Sequence, residues 1–169
     1  MRTRYDEKET NPVTTSFRIQ ALDPAYLDTI RTKGNDDFGN AVTAVTNEDP
    51  GGTPLRCCLR EAELGEKVAL IAHQAAQVGG PYVEIGPVWI HADRCEGHRA
   101  PEAYPEGFRH RQLLFRAYDA RGWQVDNQVA KGAAAEAVID GLFSRPDVAY
   151  LHARNVLPGC YMFTVERAS

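Results

Sequence analysis

No apolar run in this chain approaches the roughly 20 residues that a membrane-crossing helix needs, so no membrane partner is expected. Basic residues are not in excess either: 19 Lys and Arg stand against 23 Asp and Glu, a net charge of -4. So mildly acidic a chain lacks the electrostatic footprint of a general nucleic-acid binder, and no nucleic-acid partner is expected. There is no internal repeat and no low-complexity segment. There is also no P-loop, no G-x-G-x-x-G before a helix, no G-x-S-x-G and no H-E-x-x-H, so the common nucleotide and hydrolase fingerprints are missing. The opening stretch "MRTRYDEKETNPVTTS" has none of the apolar core of a secretory signal, which makes a cytoplasmic location the expectation.

What remains is the composition of an ordinary globular protein, 43% hydrophobic and 25% charged over 169 residues. Residues 1–14 read as a disordered leader and 15–169 as one domain with room for a sizeable core. In a reducing compartment structural disulfides are rare, so Cys57, Cys58, Cys95 and Cys160 are expected to be free thiols or ligands.

Periodicity then sets the fold class. "SFRIQAL" alternates apolar and polar residues like a strand. Asp23-Pro24 caps and opens a helix that runs to Lys33 and stops at Gly34. A polar loop follows, around a short strand near Val42 to Thr46. "TPLRCCL", "EKVALIAHQ" and "PYVEIGPVWIHA" read as three further strands. Residues 93–110 form a loop too long to be a mere connection. "RQLLFRAYDARGWQVDNQV" reads as a hairpin turning at Ala120 to Gly122, and residues 133–144 as an amphipathic helix stopped by Pro146. The last two strands, "VAYLHAR" and "CYMFTVE", pair around "NVLPG" with Arg154 opposite Cys160. That register puts Leu151, Ala153, Phe163 and Val165 on an apolar face and His152, Arg154 and Cys160 on the polar one. Only one long helix separates successive strands in this order, so the expectation is an α+β fold. It is a single domain with a mainly antiparallel sheet and two principal helices, not a doubly wound parallel sheet.

Candidate chemistry gathers on the polar faces. Alternation along "PLRCCLR" would turn Cys57 to the core with Leu55 and Leu59, and Cys58 outward between Arg56 and Arg60. Guanidinium neighbours favour thiolate, so Cys58 is the candidate nucleophile, with His152 or His91 as its base; Cys160 is the other candidate thiol. Arg56, Arg60, Arg154 and Asn155, with Cys160 beside them, are the candidate binding residues for a small anionic ligand. His91, Cys95 and His98 stand at H-x3-C-x2-H spacing, and His152 or Cys160 would complete a tetrahedral N/S site for zinc. Paired C-x2-C ligands are absent, so none of these residues is assigned as a metal ligand. Three functions follow: a small-anion or small-molecule binding domain, with or without Cys/His catalysis; a non-catalytic homodimeric interaction protein; and a zinc-binding domain. No cofactor is assigned.

Several stretches, "FRIQALDP", "DDFGN", "PLRCCLREAELGEKVALIAH", "GPYVEIGPVWIHADRC", "FRHRQLLFRAYDARG" and "LHARNVLPGCYMF", closely resemble a bacterial family, the domain of unknown function numbered twelve-oh-three. The resemblance runs from about Ser16 to Ala168. It implies a single small domain and transfers no activity, substrate or catalytic residue.

Overall fold

The computed structural model describes residues 16–76 and 78–168; the expected leader at 1–14 lies outside them. Among the described residues, ten strands form two five-stranded sheets, and two α-helices of ten residues pack on them. The first sheet has the order β1-β10-β9-β7-β8 and is antiparallel throughout: β1 (Phe17–Gln20), β10 (Tyr161–Arg167), β9 (Tyr150–Asn155), β7 (Gln112–Tyr118) and β8 (Gln124–Lys131). The second has the order β2-β5-β6-β3-β4: β2 (Val45–Thr46), β5 (Lys67–Gln74), β6 (Ile85–His91), β3 (Pro54–Leu55) and β4 (Arg60–Glu61). Its one parallel pairing is the single step Leu55 to Trp89 between β3 and β6. The α+β class with two helices holds, and the strands divide between two sheets.

Helix α1 (Pro24–Lys33) begins where Asp23 accepts from the Ala25 and Tyr26 amides and ends on Gly34 at φ 75°. Gly34 takes that left-handed conformation without the Cβ clash other residues would meet. Leu27 and Ile30 pack with Ala69, Ile71, Val88 and Ile90 of β5 and β6. Helix α2 (Ala134–Phe143) sets Ala135, Ile139, Leu142 and Phe143 against Phe115, Leu151, Phe163 and Val165 of the first sheet. The 93–110 loop feeds the same core. Phe108 is fully buried and stacks on Phe163 at 6.4 Å, and Tyr104 meets that ring edge-on at 5.9 Å.

Two local expectations are corrected. "TPLRCCL" is not one strand, because the chain turns over Arg56–Leu59 between β3 and β4. The Leu59 amide donates to the Leu55 carbonyl at 3.0 Å, closing the turn, and Leu59 sits at φ 58°. A non-glycine residue in the left-handed region costs on the order of 1–2 kcal/mol, which the burial of Leu59 (2% exposed) offsets. In the β9–β10 hairpin His152 faces Thr164 and Leu151 faces Val165, two residues beyond the expected register. A shift of two preserves side-chain parity, so the apolar set of Leu151, Ala153, Phe163 and Val165 survives. An irregularity between Tyr161 and Phe163 turns Tyr161 out of that set and opposite Arg154. The face expected to be polar is covered rather than solvated: His152 is 3% and Arg154 7% exposed.

Candidate metal centre

Because residues 56–59 form a turn, the alternation that would separate the two adjacent cysteines does not operate. Both sulfurs swing toward the end of β6. Cys57 Sγ lies 3.4 Å and Cys58 Sγ 3.8 Å from His91 Nδ1, and the two sulfurs are 4.0 Å apart. Four residues past His91, Cys95 enters from the 93–110 loop. The donor atoms of Cys57, Cys58, His91 and Cys95 all lie within 4.8 Å of one another.

Tetrahedral zinc with Zn–S of about 2.3 Å and Zn–N of about 2.0–2.1 Å requires S···S near ~3.8 Å and S···N near ~3.5 Å. The three measured edges match those spacings to within a few tenths of an ångström. Backbone donors also point at the sulfurs: the His91 amide reaches Cys57 Sγ at 3.4 Å and the Gly97 amide serves Cys95. Gly97 itself stands at φ 84°, where a Cβ would come within 2.8 Å of Pro24 Cγ. Any larger residue would push this end of the loop away from α1.

The imidazole is held from behind. His91 Nε2 lies 3.2 Å from Glu66 Oε1. Glu66 is gripped by both terminal nitrogens of Arg60, at 2.6 and 2.9 Å, and accepts from the Glu63 amide at 2.7 Å. Those donors, Arg60 foremost, hold the Glu66 carboxyl down at about 2. A carboxylate on one ring nitrogen leaves the other, Nδ1, to face the sulfurs, which is the arrangement of a metal-ligating histidine and its outer-shell acid. Without a cation the cluster is crowded: the Cys57 hydrogen bond lifts His91 to about 9 and, with burial, lifts Cys95 to about 12. A divalent ion among the four donors reverses that balance, since ligating thiols ionise outright.

The expected site residues therefore divide. Cys58 and His91 do meet, but as half of a four-donor cluster that also takes in Cys57, which had been assigned to the core alone. His98 is not part of it; its Nε2 lies 2.9 Å from the Ala100 carbonyl. Arg60 belongs to the cluster's outer support. Arg56 leaves the turn in the opposite direction and is 1% exposed, with Nε donating to the Tyr161 carbonyl at 2.7 Å and a terminal nitrogen to Cys160 Sγ at 3.1 Å. Asn155 Nδ2 reaches the same sulfur at 3.1 Å.

His152 is buried among Tyr118, Tyr150 and Tyr161, with ring centroids 5.0–5.4 Å away, and its Nδ1 has no partner among the described residues. Burial first, then the Arg154 charge, drops it to about 3, so the imidazole is neutral near pH 7. Cys57 and Glu66 were the participants missed. The only signal for Cys57 was its adjacency to a thiol already in view, and Glu66 had none.

No curated protein and no solved structure matches the chain. No helix among the described residues is long and apolar enough to cross a membrane. A family match does exist: residues 52–167 fit the family described as "Protein of unknown function (DUF1203)". That span takes in both strands flanking the cysteine turn, His91, Cys95 and the whole of β6 to β10, and the chain belongs to this family.

Proposed function

We propose that the protein is a zinc-binding domain whose ion is held by Cys57, Cys58, His91 and Cys95. The observation that carries this reading is the convergence of three thiols and one imidazole nitrogen within 4.8 Å, from three separate segments of the chain. Soft sulfur ligands with one imidazole suit zinc over magnesium or calcium, and four protein ligands fill a tetrahedral shell with no open position. The ion is accordingly structural. It pins the start of the 93–110 loop to the 56–59 turn and to the end of β6, and that loop delivers Tyr104 and Phe108 to the core of the other sheet.

The test is metal analysis by native mass spectrometry and inductively coupled plasma detection on freshly purified protein, followed by exchange with cobalt. The expected result is one zinc per chain and, after exchange, the thiolate-to-metal charge-transfer bands of tetrahedral cobalt. Cys95→Ser and His91→Gln should each lose the ion. A wild-type protein that holds no stoichiometric zinc when purified with zinc present, or variants that keep it, would overturn the reading.

A further inference from the structure

The second concentration of functional groups lies away from the thiols, in a cleft of about 610 Å³ to which both sheets contribute. That volume is in the range of small-molecule sites. Its lining carries the guanidiniums of Arg56, Arg111 and Arg154 and the carboxylate of Glu84; Glu61 pairs with Arg111, which leaves Arg56 and Arg154 to share Glu84. Its lining also has an apolar part open to water: Leu70 is 45% and Ile85 54% exposed. Large aliphatic side chains left in water beside buried guanidiniums describe an amphipathic ligand.

Arg154 is the most telling group. Its side chain is 8% exposed, its Nε has no hydrogen-bond partner among the described residues, and one terminal nitrogen donates to the Gly159 carbonyl at 3.0 Å. The other terminal nitrogen pairs with Glu84, which also faces Arg116 at 3.2 Å. Glu84 is 47% exposed, so its carboxylate reaches the buried Arg154 from the solvent side, the side from which an external carboxylate would compete with it. An internal carboxylate already sits where an external one would dock.

The geometry points to a binding cleft for a small organic carboxylate with an apolar body, the acid on Arg154 and the body along Leu70 and Ile85. Glu84 is its built-in competitor. Of the residues expected to hold an anion, Arg56, Arg154, Asn155 and Cys160 line this cleft, while Arg60 and His152 do not. The cleft shares no donor atom with the thiol cluster, so it stands or falls independently of zinc.

The probes are octanoate and 4-phenylbutyrate, their uncharged amides and inorganic phosphate, titrated calorimetrically into the purified wild-type protein. Iodoacetamide labelling of Cys160, inside the cleft, is read by mass spectrometry in parallel. Both acids should bind, and the amides about tenfold more weakly or worse, the equivalent of one lost charge-assisted hydrogen bond. Saturating acid should slow labelling of Cys160 and leave that of Cys58 unchanged. Arg154→Gln should weaken binding of the acids. Glu84→Gln should tighten it by about threefold or more, because the competent state no longer competes with an internal ligand. A gain of that kind cannot arise from a damaged fold. Amides that bind as well as acids, phosphate that binds better than either, unprotected Cys160, or no gain in Glu84→Gln would each overturn the proposal.

Discussion

Replacing His152 by glutamine should make the fold less sensitive to acid. The imidazole is 3% exposed, sits against three tyrosine rings, and is held near 3 by burial and by the Arg154 charge. An unfolded histidine titrates near ~6.5. Between those two values the unfolded chain binds a proton that the native one refuses, so stability is whole above the unfolded value and falls as the pH drops below it. Each pH unit in that window is worth about 1.4 kcal/mol, so from pH 6.5 to pH 5 this one side chain accounts for about 2 kcal/mol. Burial is nearly complete, and no discount for solvent screening applies. The assay is urea denaturation of wild type and His152→Gln in steps from pH 7.5 to pH 5. Every other titrating group is common to the two proteins, so the difference between their pH profiles isolates His152. The wild type should lose about 2 kcal/mol more than the variant across the range. Parallel profiles would refute the reasoning: either the imidazole is not sealed from water, or it finds an acceptor when it protonates.

In metal-stripped protein, iodoacetamide should modify Cys58 faster than Cys57, since Cys57 is 1% exposed and Cys58 is partly open; equal rates would mean the turn opens. Glu66→Gln should lower zinc affinity about 10–100-fold while all four ligands remain, the effect of removing an outer-shell carboxylate, as a competition titration with a chelator would measure. Phe108→Ala should cost about 3–5 kcal/mol in a denaturation experiment, as for a fully buried aromatic, because the ring anchors the 93–110 loop against Phe163.

The elements that the sequence announced are those whose signals are local. Asp23, Pro24 and Gly34 mark both ends of α1 by cap chemistry that needs no tertiary partner, and α2 announces itself by the 3.6-residue spacing of Ala135, Ile139 and Leu142. The β9–β10 faces were legible because parity survives an even slip of register, whereas the slip itself, set by the turn and by the irregularity at Tyr161, was not. The cysteine turn was illegible for a physical reason. Leu55 to Leu59 looks like an alternating strand, and what bends it is non-local: Arg56 is drawn through the gap between the sheets to a carbonyl and a sulfur about 105 positions away. Once the turn is lost, so are the thiol cluster and the direction of Arg56. The histidine-to-cysteine half, His91-x3-Cys95, was visible, but its partners lay more than 30 positions upstream and spacing alone pointed to His98 instead.

The order of the strands also bears on how the chain reaches this state. All of the second sheet lies in sequence between β1 and β7, so β1 and β10 pair across the whole of it: Phe17 pairs with Arg167, about 150 positions away. Closing that span costs about 2 kcal/mol more chain entropy than closing the connection between Gln74 and Ile85. The β5–β6 hairpin is therefore suited to an early nucleus, and β1 to a late arrival that docks along β10 and receives the Pro101 carbonyl on its Ile19 amide at 2.7 Å. That last bond occupies a donor on the outer edge of β1, where another chain would otherwise add a strand. Without β1 docked, β10 would be the edge of that sheet instead, with its pairing groups open to a strand from another copy.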